Sequence, residues 1–311
     1  MSDTPHTTLR SSKTEEWFLS SKQRARQLRS IVHQEAAYLF HSGDLTDFLA
    51  LLSRLHYYDV NNLLLIYRQY PQATYLAGGA FWKKLAGTAS APIKPECKDS
   101  GIELLLPFTE VFGSDQFGLT WFSGTQYDIS QTTVTEPPSS PDSYLTGENH
   151  ILRLIACIQE TIATRYHRSV IPTSSSKQLR SVGLPGQMND YTILLRNDIP
   201  SVHRLLFLSE CLTQLVLAPS FPITAAQKDL VIQYILHCFF QIWNIPSPRK
   251  LYQPSVVLNG ILPDRQLPFL SLIRDTVRFL DEEISSLYRE QSREEDETEI
   301  SPYLSEENNE Q

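Results

Sequence analysis

Between Arg54 and Lys84 the chain gathers cations and flat rings: Arg54, Tyr57, Tyr58, Arg68, Tyr70, Tyr75, Trp82, Lys83 and Lys84. Cations neutralise phosphates and rings stack on unpaired bases, each stack contributing about 1–3 kcal/mol, so this composition suits strand-general binding of single-stranded nucleic acid. Asn61, Asn62 and Gln69 add amides able to hydrogen-bond a sugar–phosphate backbone or a base edge. For any one of these residues a structural reading stands beside the functional one: Tyr58, Tyr67 and Trp82 as core aromatics, and the two asparagines as helix caps or bridges. Lys83 and Lys84, next to an aromatic ring, are the individual residues best suited to contact.

A second stretch has the frame of a metal site without its ligands. A zinc hydrolase helix carries two histidines four residues apart, with a glutamate between them that acts as general base on the metal-bound water. In this chain the five positions read Ser209-Glu210-Cys211-Leu212-Thr213. The hydroxyls of Ser209 and Thr213 are poor zinc ligands, so only Glu210 of the set is retained. His203, His237 and Cys238 lie elsewhere in apolar helical runs, where such residues serve the core. The four cysteines form no CxxC pair. The chain also shows no nucleophile elbow, Walker loop or paired-carboxylate motif. No catalytic residue, metal or cofactor is therefore expected.

These residues are carried by a chain of 311 residues, 41% hydrophobic and 20% charged, long enough for two domains. Its net charge of −8 is uneven: twelve acids against Arg289 and Arg293 follow from Asp281 onward, leaving the body before it at +2. The front is basic, with Lys22, Arg24, Arg26 and Arg29 on the first predicted helix. The polar opening has no secretory pattern and no apolar run approaches the roughly 20 residues of a membrane span, so a cytoplasmic protein without membrane contact is expected.

Hydrophobic periodicity predicts a helix from Ser21 to Phe40 through Leu28, Ile31, Val32, Ala36 and Leu39. A second starts near Asp44, and "NNLLLIYRQY" continues helix to the stop at Pro71. Short β-prone runs follow: "ATYLAG", "GIELLLPF", "FGLTWFS" and "YDIS". The expected class is α+β, with opening helices packed on a small sheet, then a mostly helical domain. The expected divisions are a flexible 1–14, a first domain over 15–134, a linker over 135–146, a second domain over 147–280 and an acidic, disordered tail over 281–311. The tail is read as solubilising, or as a phosphate mimic competing with nucleic acid.

The text from 48 to 84, with "YDISQT" at 127–132, resembles the N-terminal single-stranded-DNA-binding domain of ArdC-type antirestriction proteins, carried by conjugative plasmids and integrative elements. Tyr58, Asn61, Asn62, Gln69, Pro71, Ala73, Trp82, Asp128, Ile129, Gln131 and Thr132 carry the resemblance. Asp59 stands where the family has serine, and "IKPECKDSG" replaces its Gly-rich basic turn. The resemblance implies DNA contact by Arg54, Tyr57, Tyr58, Asn61, Asn62, Arg68, Gln69, Trp82, Lys83 and Lys84. It also implies a zincin-like second domain in which Lys228 takes the place of the acidic third ligand and could pair with Glu210. The function so implied is that of a single-stranded-DNA-binding protein protecting or escorting the DNA of a mobile element, with an inactive peptidase-like domain. The alternative is a protein–protein interaction module, with a protein partner on the second domain or the acidic tail.

Overall fold

The structure, a computed structural model, describes residues 12–88, 90, 92–112, 116–135, 147–174, 179, 183–217, 223–251 and 255–304. The chain divides into two compact units, one of Met1–Leu51, Tyr58–Ser140 and Leu258–Pro268, the other of Leu52–Tyr57, Pro141–Val257 and Phe269–Gln311. The linker expected over 135–146 lies, from 136 on, outside the described residues.

In the first unit, α1 (Ser12–Ser42) and α3 (Val60–Gln69) pack on a three-stranded antiparallel sheet, and α2 (Thr46–Leu55) begins here. Leu28, Val32, Ala36 and Leu39 form the buried stripe of α1, and Leu63 to Ile66 of α3 are buried without interruption. Asp59 caps α3 by accepting from the Asn62 backbone N–H at 3.1 Å. The helix closes where Tyr70 N donates to the Ile66 carbonyl, one residue before Pro71.

The sheet has the order β1-β3-β2, with β1 Leu76–Ala77, β2 Ile102–Phe112 and β3 Gln116–Asp128. "FGLTWFS" and the first two residues of "YDIS", expected as separate strands, are one strand, while Ile129 and Ser130 turn off into a 3-10 helix capped by Asp128. The pairing of β3 with β2 is unbroken from Ile102↔Gln126 to Phe112↔Gln116. Helix α4 (Gly79–Ala86) ends on Gly87 at φ 62°, a left-handed residue that favours glycine.

Beyond the short pairing of β1 with the end of β3, side chains occupy the outer edges of this hairpin. On β2, the Asn62 amide donates to the Leu105 carbonyl (2.9 Å) and accepts from Leu105 N (2.8 Å). Gln69, two helical turns on, does the same for Glu103 (3.0 and 2.9 Å). On β3, the Ser21 hydroxyl of α1 donates to the Ser123 carbonyl and accepts from Ser123 N, both at 3.1 Å. Exposed strand edges invite pairing with other chains, and these contacts occupy the edge groups locally.

In the second unit, α5 (Glu148–Tyr166), α6 (Ser201–Leu217) and α7 (Ala225–Ile242) pack in sequence, α5 on α6 and α6 on α7. A small mixed sheet of order β4-β6-β5 accompanies them: β4 Ser169–Thr173, β5 Gly186–Met188 and β6 Thr192–Arg196. Only β6, the strand-like "YTILLR", carries an alternating buried pattern. The short β4 and β5 lie in a stretch whose composition reads as loop, because neither has a continuous apolar face to advertise it. A short α8 (Ser255–Asn259) precedes α9 (Pro263–Leu304), which belongs to this unit from Phe269 on, Leu258–Pro268 falling in the first unit. The segment expected as a disordered tail from Asp281 is thus helical in its backbone as far as Leu304. The apolar seam that ends in Ile284 and Tyr288 explains why the helix outlasts the change in composition. Among the described residues no helix is long and apolar enough to cross a membrane.

Candidate nucleic-acid interface

The residues singled out by composition do not form one surface. Trp82 is 0% exposed, its ring nitrogen donating to the carbonyls of Ala77 and Tyr127 at 3.0 Å each. That ring ties α4 to the β1–β3 pair and has no face open for a base. Asn62, 5% exposed, and Gln69 are the strand-edge clamps described above. Tyr58 is half-buried and donates to the Leu76 carbonyl (3.1 Å) and to Gln126 Oε1 (2.6 Å). Burial, with a smaller effect from Tyr75, pushes its phenol up to about 12. The "YDISQT" element is architectural too. Buried Asp128 accepts from Thr74 N, Tyr75 N and Ser130 N, while Gln131 completes a capping box and donates to the Ser100 carbonyl.

Arg68 remains half exposed and pairs with Glu35 at 3.2 Å. Asn61 is half-buried on α3, and Lys83 and Lys84 are exposed on the last turns of α4 beside exposed Phe81. Arg54 and Tyr57, both exposed, fall in the other compact unit, where the Tyr57 carbonyl accepts from Arg274 at 3.1 Å.

A basic and aromatic surface does exist in the first unit, on residues that belong to the basic front of the chain. Lys22, Ala25, Arg26 and Arg29 occupy one face of α1 at three- and four-residue spacing. With Leu119, Thr120 and Trp121 of β3 they line a groove of about 210 Å³. The Arg29 guanidinium lies 5.9 Å from the Trp121 ring centre and the Lys22 ammonium 5.7 Å from that of Phe122. Trp17, 57% exposed, stacks on Phe122 with ring planes 13° apart. Arg24, off this face, is committed to Glu103. Arg26 and Arg29 make no ion pair among the described residues, so their charge is available to an anion. The periodic Lys22-x₃-Arg26-x₂-Arg29 was the readable signal; the partner strand lies too far along the chain for local spacing to reveal.

In the second unit, α6 carries the residues expected at the metal positions, Ser209, Glu210 and Thr213. Thr213 is fully buried and its hydroxyl donates to the Ser209 carbonyl at 2.7 Å. The Ser209 hydroxyl is buried with no hydrogen-bond partner among the described residues. Glu210 lies 3.7 Å from Arg249. Lys228, expected opposite Glu210, makes no ion pair among the described residues, so Arg249 holds the place assigned to it. Burial pushes the Cys211 thiol up to about 12. A zinc ion does not fit this donor set: two neutral hydroxyls, one engaged with its own helix backbone, and a carboxylate facing an arginine. Among the described residues no three His, Cys, Asp or Glu side chains are gathered as a metal centre would need.

The chain is therefore an α+β protein with a basic–aromatic groove on one unit and a ligand-poor helix on the other. It is similar in structure to the antirestriction protein ArdC from the R388 plasmid. For the metal-free crystal structure the TM-score is 0.44 at 12% identity, covering 74% of this chain and 86% of that one. For the Mn(II)-bound crystal structure the TM-score is 0.42 at 12% identity, covering 73% and 85%. The sequence matches no protein-family profile and no curated protein.

Proposed function

We propose that this chain binds single-stranded DNA through its first unit and serves the DNA of a mobile genetic element by protecting or escorting it, the role implied by the sequence resemblance of residues 48–84 and 127–132. The observation that carries the binding reading is the groove between α1 and β3. Lys22, Arg26 and Arg29 stand there in one row along Trp121, combining phosphate neutralisation with a stacking face. Lys83 and Lys84 extend the basic character of the unit. The second unit, with Ser209 and Thr213 at the ligand positions, is proposed to have no peptidase activity and to act, in the cytoplasm, as a platform for a protein partner.

The test is binding of a labelled single-stranded oligonucleotide by the full chain across a salt series, beside duplex of the same sequence. Tighter binding to the single strand, weakening as salt rises, is the expected result. Counterion release on single strands gives a log–log slope of about −0.7 per phosphate neutralised, so Lys22→Gln, Arg26→Gln and Arg29→Gln together should flatten the slope by about 2. A protein-interaction role without DNA is the second reading, favoured by exposed Trp17, Phe108 and Leu119 in the same unit. Absence of salt-dependent binding would select it.

A further inference from the structure

A cavity in the second unit has no part in the DNA-binding reading. It measures about 450 Å³, within the roughly 300–1,000 Å³ of small-molecule sites. One wall is a stripe of α6, with His203, Leu206, Phe207 and Glu210 at positions i, i+3, i+4 and i+7; the other includes Pro185, Pro248 and Arg249. The Phe207 ring is held in that wall by a missing side chain: a Cβ on Gly186 would stand 2.3 Å from it.

Of the charged groups lining the cavity, Glu210 and Arg249 form only a loose pair. Arg249 and Glu210 are 3.7 Å apart, beyond hydrogen-bond length, with side chains 51% and 29% exposed. Arg196, by contrast, is locked on Asp198 through two contacts of 2.9 and 3.1 Å and is not available to a ligand. An anionic ligand would meet Glu210, and a cationic one Arg249. A ligand with adjacent opposite charges is the species that satisfies both, and the apolar wall asks for a bulky hydrocarbon beside them.

We propose that this cavity binds a free α-amino acid with a large apolar side chain, its ammonium on Glu210, its carboxylate on Arg249 and its side chain against Leu206 and Phe207. His203, exposed at the mouth, lies at the solvent side of the same stripe.

The experiment is a titration of the full chain with L-phenylalanine, followed by calorimetry and by the methyl resonances of Leu206 and of Ile199, which also lines the cavity. Saturable binding that shifts those methyls is expected. L-phenylalaninamide, which lacks the carboxylate, and N-acetyl-L-phenylalanine, which lacks the ammonium, should each bind about ten-fold more weakly or worse. Glu210→Gln and Arg249→Gln, at partly exposed positions where folding is preserved, should each weaken binding by a similar factor. Equal binding of the blocked analogues, or no methyl shift at millimolar L-phenylalanine, would overturn the proposal.

Discussion

Glu210 faces Arg249 across 3.7 Å, and this single relationship separates α6 from the metal-binding helix whose frame it shares. A general base on a zinc-bound water must point at the metal; here the carboxylate is turned to a cation contributed by a loop. The flanking hydroxyls are buried, one of them bonded back to its own helix.

Zinc should therefore leave the protein unchanged. Calorimetric titration with equimolar Zn²⁺ is expected to show no stoichiometric binding and melting should not shift, since a ligand held only by the folded state raises stability with its concentration. Placing histidines at both positions should not create a zinc site. Ser209 and Thr213 are 2% and 0% exposed, so Ser209→His with Thr213→His overpacks the core at a cost of about 1–3 kcal/mol, read as a lower urea midpoint.

Trp82 and Trp121 should respond in opposite ways. Trp82→Ala removes a fully buried ring that ties α4 to the sheet and should destabilise the first unit by about 3–5 kcal/mol. Trp121→Ala, in the groove, should leave melting nearly unchanged and weaken single-strand binding by about 1–3 kcal/mol. Circular-dichroism melts and anisotropy titrations on both variants distinguish the two roles.

Asn62 is expected to behave as a structural amide. Asn62→Leu keeps the branching of the side chain but strips Leu105 N and O of their partner, costing about 1–3 kcal/mol for each group left unpaired and buried. The loss should appear in chemical denaturation and in faster hydrogen exchange at Leu105.

Acid should weaken the second unit through His150. Its Nε2 faces the Trp243 carbonyl at 3.1 Å, an acceptor, so that nitrogen carries the proton; Nδ1 of the neutral ring then accepts from the Tyr288 hydroxyl at 2.9 Å. Burial holds the imidazole below its ordinary pKa, against the hydrogen bond to Trp243, and Arg153, stacked 5.1 Å from the Tyr288 ring, acts in the same direction as burial. The unfolded chain thus binds a proton near pH 6.5 that the folded one resists. The stabilisation is complete above that pH and declines as pH falls from it toward the depressed folded value. Urea midpoints measured at pH 7.5 and 5.5 should differ in the wild type, and His150→Leu should reduce the difference.

Gly186 should not tolerate a side chain. The Cβ of Gly186→Ala would stand 2.3 Å from both the Leu194 carbonyl oxygen and the Phe207 ring, so β5 must shift away from β6. A lower melting temperature and altered Phe207 ring resonances are the expected outcome.

Much of this was legible in the residues alone. The buried stripe of α1, the stop before Pro71, the β-prone runs and the helix around Ser209 follow from periodicity and punctuation, which are local properties of the chain. So do the missing zinc ligands, because ligand chemistry belongs to the residue type. What composition could not assign was the use of each polar or aromatic side chain. Trp82, Asn62 and Gln69 have the chemistry of recognition, yet their partners are backbone groups of Tyr127, Leu105 and Glu103, distant along the chain, and folding turned them inward. Arg29 reaches Trp121, and Glu210 reaches Arg249, through the same kind of long-range approach. Sequence spacing determines which residues share a face of one element; which face meets which is settled by burying apolar area and pairing every enclosed polar group at once, and that solution exists only in the tertiary structure.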